Sequence, residues 1–213
     1  MWFCVGTPQN FKREVFLGMP KMRRNSNTSK IGWFREVVDF TLQHEGFTSC
    51  DPLDPGRETI FGISSRWYPE VVEKLKDPWR TYEEKKALAT AFYYEKFWRE
   101  KKIRELPYPI CCFVFDFAVN AGAKRAVTTL QRVVNKYCPF EYGGIAFRRI
   151  RVDGIIGRKE TTPTTEALLD VSYCNFCRDY LEERIRFYTK LRLFDRYGRG
   201  WVARVLELRR KFY

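Results

Sequence analysis

The side chains best suited to catalysis lie in one short stretch, residues 43–63, which reads QHEGFTSCDPLDPGRETIFGI. Cleavage of a glycosidic bond needs a carboxylic acid that is protonated near neutral pH, and a second carboxylate that activates water or accepts the glycosyl group. Burial favours the protonated form of a carboxyl group, because desolvation disfavours the charged form. Glu45 is our candidate for the acid; the plain alternative is a helix end that runs into a surface turn.

Two aspartates compete for the role of second carboxylate. Asp54 follows Glu45 by nine residues, in a loop whose glycines and prolines allow it to fold back over the glutamate. Asp51 is nearer, but Pro52 follows it and the pair is typical of a turn. We therefore predict Asp54 as the partner of Glu45 and keep Asp51 as the alternative. The hydroxyl of Thr59 is placed to hold a water between the carboxyl groups.

A helix is predicted to position Glu45. Residues suited to a buried face recur at three- and four-residue spacing, and Glu45 continues their series. The members are Ile31, Phe34, Val37, Val38, Thr41 and Leu42. Glu45 therefore leaves this helix on its buried face. The three glycines and two prolines of residues 46–64 indicate a loop or an irregular hairpin.

The rest of the chain has helical periodicity. Thr81 and Glu84 form a capping box before a helix through AFYYEKFW, and ICCFVFDFAVNAG predicts a buried helix that ends at Gly122. Three more helices are predicted: residues 123–136, a long helix over 173–191 after a Thr162-Pro163 start, and a last one over 200–212. The predicted fold class is all-α, with at most a small β-hairpin near residues 50–64.

Length and composition predict a globular protein. With 213 residues, of which 45% are hydrophobic, the chain can bury one substantial core. Residues 1–30 are interpreted as a basic, flexible tail or leader, and 31–213 as the folded domain. No apolar run reaches the length of a membrane span. The first residues lack the charged segment followed by an apolar segment that is typical of a secretory signal.

The formal net charge of +13 indicates an anionic partner. We expect no nucleic acid, because the basic residues are spread along the chain and no zinc-finger, basic-zipper or RNA-binding signature is present. Cys174 and Cys177 are separated by two residues, which is the spacing of half a metal or redox site. A second such pair is lacking, and His44 is the single histidine. Buried thiols are the favoured interpretation of the seven cysteines, and no metal or organic cofactor is expected.

Several motifs together resemble glycoside hydrolase family 108, the bacterial and phage N-acetylmuramidases. HEGF and DPLDPGRETIFGIS resemble the family's signature segment, and the likeness continues in order along residues 31–210. The further motifs are AFYYEKFWRE, FDFAVNAGAKRAVTTLQRVV, VDGIIGRKET and YGRGWVARV. Five motifs in sequence order make the resemblance specific.

The resemblance implies a lysozyme-like fold, with about residues 120–213 forming a peptidoglycan-binding-like helical part. It implies that Glu45 corresponds to the family's essential glutamate. The order Glu45, Asp54, Thr59 is also similar to the order of the glutamate, aspartate and threonine in phage-type lysozymes. Some residues depart from the family pattern, which puts the shape of the sugar cleft in question. They are Phe47, Thr48, Cys50, Arg57 and Glu58.

Four other residues are candidates for substrate binding. Asp116 and Asn120 are four apart and share a helix face, where Asn120 would contact an N-acetyl group or satisfy a helix end. Tyr94 and Trp98, with Tyr93, would form a sugar-stacking wall or else belong to the core.

The resemblance predicts a monomeric peptidoglycan hydrolase, a phage or bacterial endolysin that stays in the cytoplasm until release and then acts on the anionic cell wall. The rival interpretation is a non-catalytic basic protein of the same fold that binds cell wall or nucleic acid. The changes at Phe47 and Arg57 favour the rival, whereas Glu45, Asp54 and Thr59 favour the enzyme.

Overall fold

The computed structural model describes residues 29–49 and 58–213. These residues form seven α-helices and five short strands. The helices are α1 (Lys30–Glu45), α2 (Pro69–Lys76), α3 (Tyr82–Tyr93), α4 (Ile110–Ala121), α5 (Ala123–Tyr137), α6 (Thr161–Tyr188) and α7 (Phe194–Phe212). A π-helical segment (Tyr94–Arg99) extends α3, and a 3₁₀ turn (Ile103–Glu105) precedes α4. The predicted helical fold class is confirmed.

Helix α4 is the centre of the fold. Every side chain from Ile110 to Ala118 is buried, and α4 packs against α1, α5 and α6. One continuous cluster of buried apolar residues runs from Phe34 of α1 to Phe212 of α7. The first and last helices therefore meet around the same core.

Local signals set the ends of several helices. Ser29 caps α1 by accepting a hydrogen bond from the amide of Gly32. At α3, both bonds of the predicted capping box between Thr81 and Glu84 are present. Helix α4 ends at Gly122, whose φ of +90° suits glycine.

Two features of the helices differ from the sequence predictions. Helix α6 begins at Thr161 rather than with a Thr162 cap, and it continues through a kink at Ser172 into the predicted long helix. Helix α7 begins at Phe194, several residues before the glycines of GRGW. In both cases packing against neighbouring helices overrides the weak local signals for a helix start.

The strands form two small antiparallel sheets. In the first, β1 (Thr48–Ser49) pairs with β2 (Thr59–Ile60), and β2 pairs with β3 (Ile63–Ser64). In the second, β4 (Phe140–Tyr142) pairs with β5 (Ile145–Phe147). The first sheet lies where the sequence predicted a hairpin; the second was not predicted. In the described residues, no helix has both the length and the apolar character of a membrane span.

Candidate active site

Glu45 is the last residue of α1. Its side chain is 18% exposed, since it continues the buried face that includes Val38, Thr41 and Leu42. Gly46 follows with a φ of +69° and ends the helix. The helix thus delivers a largely buried carboxyl group at the point where the chain turns into the first sheet.

The turn between β2 and β3 lies directly against this carboxyl group. Its two central residues, Phe61 and Gly62, both have positive φ values, +52° and +76°, as in a type I′ turn. A Cβ atom on Gly62 would lie 2.6 Å from Oε2 of Glu45. A side chain at this position would therefore displace the carboxyl group of Glu45, and the backbone of the turn covers one side of the acid.

Arg204 of α7 contacts the other carboxyl oxygen. Its Nη1 donates to Oε1 of Glu45 at 2.7 Å. The same guanidinium donates through Nη2 and Nε to Asp116 of α4, at 2.7 to 3.1 Å. Two nitrogens of Arg204 therefore donate to Asp116, and the third donates to Glu45.

Asp116 is fully buried at the centre of this cluster. It also accepts hydrogen bonds from Arg184 Nη2 at 2.7 Å and from the hydroxyl of Thr41 at 2.9 Å. Burial alone would raise the pKa of Asp116, but the guanidiniums of Arg204 and Arg184 hold that pKa far below its ordinary value. Two arginines therefore share one buried carboxylate at the centre of the cluster.

The hydrogen-bond network continues to the end of α4. Arg184 Nε donates to the hydroxyl of Tyr188 at 2.9 Å, and that hydroxyl donates to Oδ1 of Asn120 at 2.6 Å. A path of direct side-chain contacts therefore connects Glu45 with Asn120 through Arg204, Asp116, Arg184 and Tyr188.

A second polar contact joins α1 to α7 beside the acid. His44 Nε2 lies 3.0 Å from Oε2 of Glu207, and its Nδ1 lies 2.9 Å from the carbonyl oxygen of Phe40. Because Glu207 follows Arg204 by three residues, both side chains lie on one face of α7. Two adjacent residues of α1 thus bind two residues on one face of α7.

The candidate catalytic residues are only partly described. Thr59 is half-buried in β2, where it pairs with Ser49 and Ser64. Asp54 and its alternative Asp51 lie outside the described residues. The role of each of these residues stays a prediction.

The candidate substrate-binding residues have different surroundings. Asn120 is partly exposed at the end of α4 and remains a candidate for contact with substrate. Asp116 is buried and occupied by two arginines, so its carboxylate organises the cluster and is not open to a sugar. The helical spacing that suggested a shared face was correct, but packing buries one of its two members.

For the expected sugar-stacking wall, the structure favours the core alternative at Trp98. Trp98 is 1% exposed and packs against Phe34 and Phe115, with ring centroids 5.5 and 5.8 Å away. Tyr94 lies 5.0 Å from the same Phe34 ring, which is about 16 Å along α1 from Glu45. Trp98 therefore belongs to the core, whereas Tyr94 is half-buried and its role as a sugar contact stays a prediction.

Sequence reasoning missed the residues that surround the acid. Arg204 and Arg184 are buried arginines on otherwise apolar helix faces, at 6% and 0% exposure. A long charged side chain within an apolar series is the signal that marks them, because a buried charge requires a partner. No group of His, Cys, Asp and Glu within the described ranges is arranged to hold a metal ion.

Part of the sequence matches a known protein family. Residues 38–122 match the sequence model described as Glyco_hydro_108, glycosyl hydrolase 108. These residues are similar to glycosyl hydrolase family 108, the family that the sequence motifs resemble. The matched range extends from α1 to the end of α4, and it includes Glu45, Thr59, Asp116 and Asn120.

A solved structure extends the similarity beyond the residues that match the family 108 model. The structure of Brucella abortus SagA is 26% identical in sequence to this chain, with a TM-score of 0.61. The alignment covers 85% of this chain and 94% of SagA. No curated protein matches the chain. The match over residues 38–122 supports a glycoside hydrolase.

Proposed function

We propose that this protein is an N-acetylmuramidase, a lysozyme that hydrolyses the peptidoglycan bond between N-acetylmuramic acid and N-acetylglucosamine. Glu45 is the general acid, Asp54 the second carboxylate and Thr59 the residue that orients water. The observation that carries the proposal is the placement of Glu45: a largely buried carboxyl group at a helix end, held by Arg204 and covered by a glycine turn.

The two oxygens of Glu45 have different contacts. Oε1 accepts the hydrogen bond from Arg204, a donor that never gives up its proton at ordinary pH. Oε2 lies against Gly62, in the space that a Cβ atom at that position would occupy. We infer that Oε2 carries the proton transferred to the glycosidic oxygen, while Arg204 fixes the orientation of the carboxyl plane.

The charge of the protein fits the same substrate. Cell walls carry peptide carboxylates and acidic polymers, and a net charge of +13 would raise the rate of encounter with such a surface. The biological setting that we propose is that of a phage or bacterial endolysin that acts on the wall after release from the cytoplasm.

The test is Glu45→Gln, which keeps the shape of the side chain and removes its acidity. Loss of a general acid lowers turnover by about 10²–10⁴-fold. The matched control is Glu36→Gln, an exposed glutamate of the same helix. Clearing of purified peptidoglycan and analysis of the released reducing ends by mass spectrometry measure both the rate and the bond that is cut. A Glu45→Gln protein as active as the Glu36→Gln control would contradict the proposal.

A further inference from the structure

The turn that covers Glu45 has an unusual first residue. Type I′ turns require a positive φ at both central positions, which favours asparagine, aspartate or glycine. The β4–β5 turn follows this rule with Gly143 and Gly144, at φ values of +58° and +76°. The β2–β3 turn instead has Phe61 at +52°, a conformation that costs a residue with a side chain roughly 1–2 kcal/mol. Something in the surrounding structure must stabilise Phe61 in this conformation.

Three contacts hold Phe61. Its amide N–H donates to the carbonyl of Phe47 at 2.8 Å, and its ring packs between those of Phe47 and Tyr82, at centroid distances of 5.1 and 5.5 Å. Its carbonyl oxygen accepts a hydrogen bond from the hydroxyl of Tyr93 at 2.8 Å. The contacts with Phe47 lie beside the sheet, and the ring of Tyr82 belongs to the first residue of α3. The hydrogen bond from Tyr93 connects the turn to the last residue of α3.

Tyr93 is suited to hold a backbone carbonyl. Its side chain is 2% exposed, and the burial of the phenol together with the nearby charge of Glu45 raises its pKa well above the ordinary value. The hydroxyl therefore stays protonated and remains a donor. Since its acceptor belongs to the residue before Gly62, the bond determines where the Gly62 backbone lies relative to the acid.

We propose that Tyr93 is a positioning residue for catalysis: its hydroxyl holds the Phe61 carbonyl, and so keeps the Phe61–Gly62 turn against the carboxyl group of Glu45. The inference rests on the proposed function, in which Glu45 is the acid. Tyr93 contacts neither Oε1 nor Oε2 by a hydrogen bond in the described structure; it acts through the turn. Without this bond the strained turn relaxes, and Glu45 loses the wall that fixes the position of Oε2.

Tyr93→Phe tests the proposal, because it removes one hydroxyl and keeps the buried ring. Tyr180→Phe is a matched control: Tyr180 is also fully buried, and its hydroxyl also donates to a backbone carbonyl, that of Ala126, at 3.2 Å. Each variant loses one buried hydrogen bond and leaves one carbonyl without its donor, so the two should lose similar stability. Only Tyr93→Phe should affect the turn.

Two measurements separate positioning from general destabilisation. Turnover and KM are measured on a soluble peptidoglycan oligosaccharide, and the exchange rate of the Phe61 amide hydrogen is measured by NMR. We expect Tyr93→Phe to lower kcat about tenfold with little change in KM, and to speed Phe61 amide exchange about tenfold, while Tyr180→Phe does neither.

Equal kcat and equal amide exchange in the two variants would overturn the proposal. It would also be overturned if amide exchange rose while kcat stayed normal, or if kcat fell while exchange stayed normal. Should Glu45→Gln and wild type turn out equally active, the proposed function fails, and the hold of Tyr93 on the turn is then decided by the exchange rates alone.

Discussion

Replacing Gly62 with alanine tests whether the glycine turn positions the acid. A Cβ atom at Gly62 would lie 2.6 Å from Oε2, 2.8 Å from Cγ and 2.9 Å from Cδ of Glu45. Ordinary contacts between such atoms are about 3.5 Å, so the carboxyl group would have to move by roughly 1 Å. A displacement of that size at a reacting group can lower the rate about 10²-fold.

The structure offers a closely matched control in Gly144→Ala. Gly144 occupies the same place in the β4–β5 turn and has the same φ of +76°, but nothing lies within 4 Å of its added Cβ. In both variants the alanine must adopt a left-handed backbone conformation, which costs roughly 1–2 kcal/mol. Only Gly62→Ala also displaces Glu45.

Peptidoglycan hydrolysis and thermal unfolding are measured for both variants. We expect Gly144→Ala to melt a few degrees lower than wild type with its full turnover, since about 1 kcal/mol corresponds to roughly 2–4 °C in a protein of this size. Gly62→Ala should lose about 10²-fold in turnover at a temperature where both variants are folded. A Gly62→Ala protein with the turnover of the Gly144→Ala control would refute the positioning of Glu45 by this turn.

Three further variants test the buried cluster and the second carboxylate. Asp116→Asn leaves the guanidiniums of Arg204 and Arg184 without their carboxylate, and urea unfolding should show a loss of about 3–5 kcal/mol. Because the pKa of Asp116 is lowered in the folded state, its contribution is complete above its unfolded pKa of about 3.9 and is lost as the pH falls below that value. Wild type should therefore lose stability on acidification more steeply than Asp116→Asn, and parallel pH profiles would contradict the assignment. Arg204→Lys keeps the positive charge but loses the planar fork that contacts two carboxylates, so turnover should fall at least tenfold while KM changes little; normal turnover would show that the fork is dispensable. Asp54→Asn should lower turnover far more than Asp51→Asn, which should act mainly on melting temperature, and the reverse result would exchange their roles.

Local patterns in the sequence predicted the main features of the fold. The series from Ile31 to Leu42 identified α1, and its members from Phe34 onward are buried as predicted, whereas Ile31 is exposed in the first turn. Glu45 was therefore expected at the end of the buried face, and the capping box at Thr81 marked the start of α3. These predictions were confirmed because periodicity and capping depend on residues within a few positions of one another. The β4–β5 hairpin was not predicted, since its three-residue strands are too short to show alternation.

The surroundings of the acid could not be predicted in the same way. Periodicity shows that a side chain is buried, but it does not show which partner lies opposite. Arg204 is 159 residues from Glu45 in sequence, and only the packing of α7 beside α1 and α4 brings its guanidinium to both Glu45 and Asp116. The same limit applies to Trp98, whose aromatic ring suits a sugar as well as it suits the core.

The sequence by itself therefore determined the helical fold class, the helix that carries the candidate acid and the loop composition beside it. Tertiary structure decided that Asp116 is the buried centre of an ion-pair cluster and that Gly62 lies against Oε2 of Glu45. It also decided that the hydroxyl of Tyr93 donates to the carbonyl of Phe61 in the turn. The physical reason is that helix and turn formation depend on interactions between near neighbours in the chain. Charge balance and close packing around a buried carboxyl group depend instead on residues that meet only when the whole core assembles.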